Sequence, residues 1–306
     1  MTTIQTSSLE TDLRMASALA GSAKLLLADR ASIRSVGAVL WLGDVNGANT
    51  DTLLESFAGL DGYDAMTAAT AETEDVSTTA LTDASASIAV ARYAIRRDIT
   101  DLAALTASNP GMITPARLAE SVVGEFERAW MQLLADVGDG FSGNSVGTSG
   151  VDMSADDHYD AIFELELDDV PGPFFGVLHP RQWADLQESL RAEGGAAAFQ
   201  DATFEALQIK GPGFVGSLNG VDLYKSARVN ASGGNRLGFY WGLGAMGYRT
   251  GTPIPGEGSS LRVVGPGLAV EIDRNGSAGL TEVLGHGYMG MAVLEDNRGC
   301  LISTDQ

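Results

Sequence analysis

The stretch from Thr114 to Gly140 most constrains what this chain can fold into, because its periodicity, start signal and stop signal all agree on one long helix. Thr114 offers a capping hydroxyl, and Pro115 fits the first helical position, where its missing N–H costs nothing. Leu118, Val122, Phe126, Ala129, Leu133 and Val137 recur at helical spacing, and Val123, Trp130 and Leu134 widen that face. Arg117, Glu120, Glu127 and Arg128 fall on the opposite side, and Gly138-Asp139-Gly140 ends the segment where left-handed backbone is easily accommodated. At roughly 1.5 Å of rise per residue, the span from Pro115 to Val137 is a rod of about 35 Å. A half-buried rod of that length needs a plate or a bundle to lie on.

Upstream the composition changes abruptly. Residues 36–91 contain no Lys or Arg, while Asp44, Asp51, Glu55, Asp61, Asp64, Glu72, Glu74, Asp75 and Asp83 supply nine acids. Residues 36–42 and 87–95 read as two strands, and the polar, Gly-marked stretch between them as a long excursion with a short helix near 53–57. An excursion this long is uncommon inside a compact domain, so it either finds its packing on another subunit or is a disordered insert. Residues 1–35 are an arm in which Leu9, Leu13, Ala16, Ala20, Ala23 and Leu27 form a weak amphipathic helix. Its apolar content is too small to fold alone, so it must lie against its own body or a neighbour.

Arg92, Arg96 and Arg97 close the acid-rich stretch, and Ile99, Leu102, Ala103 and Leu105 give a second short helical pattern. Beyond the long helix, the Gly/Ser run 141–150 reads as a mobile connection, and 155–167 as an acidic helix with Ile162, Phe163 and Leu167 inward. Residues 171–230 look like a second lobe. It has a strand at 174–178, a helix started by His179-Pro180 that carries Trp183, Leu186 and Leu190, and a helical stretch at 199–207. A hairpin turning at Asn219-Gly220 follows. Strands are expected at 237–246, 261–264, 268–272 and 289–294, which makes the fold class α+β.

Charge and cysteine usage exclude several roles. With 40 acidic and 19 basic residues among 306, the net charge of −21 disfavours wrapping nucleic acid or lying on an anionic membrane, since both demand clustered Lys and Arg. It does not forbid enclosing DNA without gripping it. Cys300 is the only cysteine, so no intrachain disulfide is possible, and it reads as a buried apolar side chain. The first residues lack a secretory signal and no run reads as a spanning helix, so the expected location is the cytoplasm of the producing cell.

Three G-x-G-x-x-G spacings occur, at Gly211-Gly213-Gly216, Gly242-Gly244-Gly247 and Gly285-Gly287-Gly290, but none opens a helix as a dinucleotide site requires. Ser145 lies in a G-x-S-x-G match without the flanking strand and helix of a nucleophile elbow. His158, His179 and His286 are scattered, with no pair at metal spacing. The acids around His158 read as a solvated helix start, and His179 as a cap rather than a base. Nothing here assembles acid, base and nucleophile, so no catalytic residue, cofactor or metal is assigned.

The order of these parts resembles the major capsid proteins of tailed bacteriophages, the Hong Kong 97 or Johnson fold, over nearly the whole chain. The arm (1–35), the extended loop (36–95) and the spine helix (115–137) follow one another as in that family. The strand leading to His179-Pro180, the hairpin from Gly216 to Ser226 and the segment from Arg236 to Tyr248 are similar to its axial lobe and the strand that returns to its peripheral domain. The resemblance implies a peripheral domain at 96–170, an axial domain at 171–235, and return strands at 236–306 shared between the two. It implies a structural protein of the virion that assembles with itself into hexamers and pentamers of an icosahedral shell around double-stranded DNA, in the host cytoplasm. A portal, a scaffolding protein and a decoration or cementing protein are the further partners implied, with no membrane. Met1 favours a separate scaffolding protein over a processed form. Contacts between subunits are expected where the loop acids Asp44, Asp51, Glu55, Asp61, Asp64, Glu72, Glu74 and Asp75 meet Arg30, Arg34, Arg92, Arg96 and Arg97 of neighbours. Rival readings are an encapsulin-type nanocompartment shell of the same fold, and a hydrolase using Ser145 or His179.

Some members of the resembled family join an extended-loop lysine to a neighbour's asparagine. The lysines here are Lys24, Lys210 and Lys225, none of them in the loop. Boiling assembled particles in detergent and reductant is therefore expected to return a single band near 31.8 kDa, with no ladder of cross-linked species.

Overall fold

The computed structural model describes residues 17–24, 26, 37–46, 52–58, 83–100, 115–192, 199–201, 209–210, 213–255 and 260–305. Helix α1 (Pro115–Gly138) forms as its periodicity requires and ends at the expected glycine. Its capping Thr114 lies outside the described residues. The buried line runs Ala119, Val122, Val123, Phe126, Trp130, Leu134, while Leu118, Ala129, Leu133 and Val137 sit half-buried beside it. Trp130, read as the margin of the apolar face, is therefore at its centre, edge-on to Tyr248 with ring centroids 6.0 Å apart. Truncating such a side chain costs about 3–5 kcal/mol.

The plate under α1 is a six-stranded sheet built on one long strand, β15 (Leu280–Val293). On one side β15 pairs with β14 (Leu268–Asn275), which pairs with β13 (Arg262–Gly265). Beyond β14, from Met289 on, that same side pairs with β12 (Met246–Thr250), whose outer neighbour is the parallel β1 (Leu40–Asp44), while β4 (Ala91–Thr100) pairs along the opposite side from Leu280 to Met289. Side chains alternate across the sheet, and the β15 residues under the helix are glycines. A Cβ on Gly285 would lie 2.5 Å from Val122, and one on Gly287 would lie 3.1 Å from Phe126. Their absence lets the helix settle onto the strand.

A second, eight-stranded sheet runs β5 (Asn144–Val146), β16 (Gly299–Asp305), β11 (Asn235–Trp241), β6 (Phe174–Leu178), β9 (Val221–Lys225), β8 (Phe214–Leu218) and β7 (Phe199–Asp201), with β10 (Ala231–Ser232) beside β11. Helices α2 (Ala155–Leu167) and α3 (Pro180–Ala192) cover one face and share a core with Leu178, Leu218, Leu223 and Tyr240. The other face joins the core of α1 through Phe175, Val177, Phe239 and Trp241. Covered on both faces, β6 is buried at all five positions, which explains its uninterrupted apolar sequence. Asn219 (φ 48°) and Gly220 (φ 83°) make the tight turn between β8 and β9, as the dipeptide predicts. His179 caps α3, its Nδ1 accepting the Arg181 N–H at 3.2 Å.

The two sheets are joined where the chain leaves β11 at Trp241 for β12 at Met246, and where it leaves β15 at Val293 for β16. Arg298 ties these crossings together: it pairs with Glu295 and donates from Nη1 to the Leu243 carbonyl at 2.7 Å. Trp241 donates its ring N–H to the Ala38 carbonyl at 2.8 Å, fixing the segment before β1 to the same joint. The arm contributes too. Residues 17–24 are helical and bury Leu19 and Ala23 in the core of α1, so this part of the arm lies against its own body.

Several expectations change. The helix expected at 53–57 is strand β2 (Thr52–Ala58), paired antiparallel with β3 (Asp83–Ala89) from Thr52↔Ala89 to Ala58↔Asp83. A seven-residue run with no long helical period takes the conformation its pairing partner dictates. The strand expected at 87–95 is two, broken at Val90, and Ile99 extends β4 rather than a helix, with the remainder of that helical pattern outside the described residues. Phe199 belongs to β7, and the rest of its expected helix also lies outside. The Gly/Ser run is held, since β5 pairs parallel with β16, itself not foreseen. The strand expected at 237–246 divides between the two sheets. On α2, which the sequence grouped with the spine helix, Phe163 and Leu167 are exposed. Ala155, His158, Ala161, Ile162 and Leu165 face inward.

His158 is wholly buried, with its Nδ1 2.8 Å from the Tyr240 hydroxyl. Burial pulls its pKa from 6.5 down to about 4, against a smaller upward pull from the Leu218 backbone. The unfolded chain therefore takes up a proton near pH 6.5 that the folded chain refuses until about pH 4, so folded stability declines as pH falls through that window. In His158→Gln this part of the decline, worth about 3 kcal/mol when complete, should disappear. Urea unfolding of the purified chain at pH 7, 5.5 and 4.5, wild type against variant, measures it.

Candidate interaction surfaces

The residues singled out as contacts divide into those the structure places and those beyond its described residues. Arg30, Arg34, Asp51, Asp61, Asp64, Glu72, Glu74 and Asp75 are in the second group. Glu55 is a residue of β2. Asp44, at the end of β1, accepts the Thr252 hydroxyl at 2.7 Å and the Asn46 N–H at 3.1 Å. The three arginines are brought together on β4. Arg92 lies 3.1 Å from His286 Nδ1, and His286 Nε2 lies 3.4 Å from Glu271. Arg96 grips Asp98 at 2.6 and 3.0 Å and reaches Glu282 at 3.0 Å. Their mutual hydrogen bond pushes the Arg96 pKa up and the Asp98 pKa down. Arg97, facing α1, donates to Ser121 at 3.2 Å. Each exposed pair of this kind is worth under about 1 kcal/mol, so the three side chains remain open to a competing acid.

The chemistry-like motifs dissolve on inspection. Ser145 lies in β5 opposite Leu301 of β16. Gly242-Gly244-Gly247 spans a turn into a strand, and Gly285-Gly287-Gly290 is strand throughout. The start of α2 is a capping box, Ser154 and Asp157 each bonding the other's backbone N–H, which accounts for that acidic cluster. Among the described residues no group of three or more His, Cys, Asp or Glu could hold a metal ion. Cys300 is buried, and burial pushes its thiol up to about 12, which keeps it protonated and inert.

Three surfaces stand out instead. Along α2, Tyr159, Phe163 and Leu167 recur every fourth residue and are 43%, 58% and 64% exposed, a single apolar stripe bordered by Asp156, Asp160, Glu164 and Glu166. Leu40 and Trp41 are exposed on β1, the outermost strand of the six-stranded sheet. Finally, a cavity of about 270 Å³ lies between α1 and the sheet, walled by Tyr93 and Ile95 of β4, Val122, Phe126 and Ala129 of α1, and Leu268. A large apolar side chain left in water forfeits about 1.5–3 kcal/mol of burial, so contiguous exposed apolar surface marks a binding face. The α2 stripe was legible in the spacing of Tyr159, Phe163 and Leu167. It was missed because two apolar faces compete on one short helix.

No protein-family model matches the chain, and no curated protein matches its sequence. Solved structures do match. The mature capsid of bacteriophage PhiM1 is 11% identical with a TM-score of 0.57, over 88% of this chain and 86% of that one. The capsid of Ralstonia phage GP4 is 12% identical with a TM-score of 0.56, over 87% and 86%. The SrpI encapsulin of Synechococcus elongatus PCC 7942, in its holo complex, is 19% identical with a TM-score of 0.54, over 72% and 77%. The chain has the Hong Kong 97-like fold.

The two faces of α2 give opposite expectations. Phe163→Asp should shift folded stability by no more than about 0.5 kcal/mol, whereas Leu165→Asp, which buries a charge, should unfold the subunit. Thermal melts of the two variants check the assignment.

Proposed function

We propose that the chain is the major capsid protein of a tailed double-stranded DNA bacteriophage, acting by self-assembly and not by catalysis. Its copies form the hexamers and pentamers of an icosahedral shell around the genome. The observation that carries this reading is the fold, which spans most of the chain and is like that of phage capsid subunits at TM-scores above one half. The surfaces support it, since a ribbon, an apolar helix stripe and exposed apolar residues on an edge strand all call for neighbours.

On this reading the six-stranded sheet with α1 is the peripheral domain and the eight-stranded sheet with α2 and α3 the axial domain, the arm and extended loop reaching neighbouring copies. The acids of residues 36–91 face Arg92, Arg96 and Arg97 of those copies, and Arg30 and Arg34 of the arm add to the same attraction. A net charge of −21 suits a wall that encloses DNA without holding it. Assembly takes place in the host cytoplasm with a separate scaffolding protein and a portal, and non-covalent overlap of arm and loop with neighbours, or a cementing protein, takes the place of covalent cross-links.

The likeness to the SrpI encapsulin favours one second reading, a nanocompartment shell around a cargo protein. Electron microscopy of the expressed chain, with its scaffolding protein, and an assay of particles from producing cells for nuclease-resistant DNA separate the outcomes. Closed particles with protected DNA support the capsid, closed particles with a single co-purifying protein and no DNA support the compartment, and a persistent monomer overturns both. Deleting residues 46–85 should leave a folded subunit, by circular dichroism and melting, that forms no closed particles.

A further inference from the structure

Asparagine followed by glycine is a pair at which a chain can react with itself, because a residue without a Cβ lets its backbone nitrogen approach the asparagine's side-chain carbonyl. The chain has three such pairs, Asn46-Gly47, Asn219-Gly220 and Asn275-Gly276. By local sequence they are equivalent, and the fold separates them.

Asn275 ends β14, and residues 276–279 carry the chain into β15, with Asn275 still paired to Leu280. Its side-chain oxygen accepts two hydrogen bonds, from the Ser277 hydroxyl at 2.8 Å and from the Ala278 N–H at 3.2 Å. A backbone N–H can only donate and a carboxylate only accept, so the amide has one orientation: oxygen toward the turn, and nitrogen toward Glu282, whose Oε1 it meets at 3.3 Å. Both donors to the oxygen come from the residues just after Gly276, so the side-chain carbonyl is folded over the Gly276 peptide. Nothing stands where a Gly276 side chain would be, and residues 276–278 are exposed to water.

Two donors on one carbonyl oxygen have a chemical meaning. When a nitrogen adds to a carbonyl, negative charge collects on the oxygen, and hydrogen bonds already in place there favour the tetrahedral species over the starting amide. The other two pairs lack this arrangement. The Asn46 amide is clamped at both ends by Thr252, its oxygen accepting the Thr252 N–H at 3.1 Å and its nitrogen donating to the Thr252 carbonyl at 2.8 Å, so it faces another segment instead of its own next residue. Asn219 is held at φ 48° in the two-residue turn closed by Leu218↔Val221, and its side chain makes no hydrogen bond among the described residues.

We propose that Asn275-Gly276 is a self-modification site, at which the folded chain converts Asn275 to aspartate and isoaspartate without an enzyme. The Gly276 nitrogen bonds to Cγ of Asn275 and gives its proton to solvent. The Cγ–Nδ2 bond breaks, and Nδ2 leaves as ammonia with a proton returned from solvent. The cyclic imide that results is opened by water at either carbonyl, giving aspartate, or an isoaspartate whose main chain runs through Cγ. One water is consumed and one ammonia released, with no change of oxidation state. The Ser277 hydroxyl and the Ala278 N–H hold the charge that forms on Oδ1. The product carboxylate replaces the amide that donated to Glu282, and Glu282 also holds Arg96 at 3.0 Å. Two carboxylates then compete for one guanidinium, so the reaction alters the ion pairing between β4 and β15.

The test incubates the purified full chain at pH 8 and 37 °C and follows all three asparagines by peptide mapping and mass spectrometry, with an isoaspartyl methyltransferase marking the isoaspartate. Asn275 should convert at least about tenfold faster than Asn46 or Asn219, and Ser277→Ala should slow it about tenfold, less than the hundredfold or more that removing such a donor costs in water-excluded sites. Ser277→Thr, which keeps the hydroxyl, should convert like the parent. In urea, where the turn's hydrogen bonds are lost, the three rates should draw together. Asn275 converting no faster than Asn219 in the folded chain, Ser277→Ala converting as fast as the parent, or the same preference persisting in urea would each overturn the proposal, the last by making it a property of local sequence alone.

Discussion

The seating of α1 on β15 is the contact on which the other parts depend. β15 is the one strand that meets β4, β12 and β14, so whatever fixes its distance from the helix fixes the plate. That distance is set by Gly285 and Gly287, whose missing side chains admit Val122 and Phe126. Any larger residue at Gly285 would push into Val122 and lift the helix from the sheet, and interiors at crystal-like density have little room to absorb such a shift. The helix in turn buries Leu19 and Ala23 in the same core, so residues 17–24 of the arm are packed with helix and plate.

The second constraint is the joint between sheets. Two chain crossings would leave a hinge if their backbones were solvated and unpaired. Here Gly242 N–H meets the Arg298 carbonyl at 3.0 Å, Leu294 N–H meets the Ala245 carbonyl at 2.8 Å, and the Arg298 side chain closes the remaining gap to Leu243. Trp241 fastens the segment before β1 to this joint, which roots the start of the extended loop in a hydrogen-bonded and buried part of the fold. A ribbon anchored in this way can be held out toward a partner without losing its aim. That matters for association, because ordering a loose element on binding would consume much of the contact energy.

What the sequence made legible follows the range of the forces involved. The helix α1, the Asn219-Gly220 turn and the helix begun by His179-Pro180 are local events, set by periodicity, backbone preference and a cap within a few residues, and each is found as read. Elements decided by distant partners were not legible. Residues 144–146 look like linker until β16 supplies a ladder 156 residues away, Cys300 against Asn144. The stretch Thr52–Ala58 is helix or strand by local preference and strand because β3 lies beside it. On α2 both candidate faces are apolar, and only the position of Tyr240 and Leu218 decides that His158 and Leu165 go inward and Phe163 outward. The candidate contact residues were legible as charges, but not the partners that Arg92, Arg96 and Arg97 already hold within the subunit.

Charge also limits how copies of such a chain can associate. A net charge of −21 on each subunit opposes crowding, but salt at physiological strength screens interactions beyond about 8 Å, so repulsion between whole subunits is weak while contact groups still feel one another. The attraction must then be short-ranged and largely apolar, and the exposed surfaces match that demand: the α2 stripe, Trp41 on β1, the cavity beside β4. A subunit held at several such contacts at once is retained far longer than one held at a single contact, because each further contact forms at the high effective concentration set by the first. Weak individual contacts on rigid frames therefore let misplaced copies leave while an assembly held at many points persists.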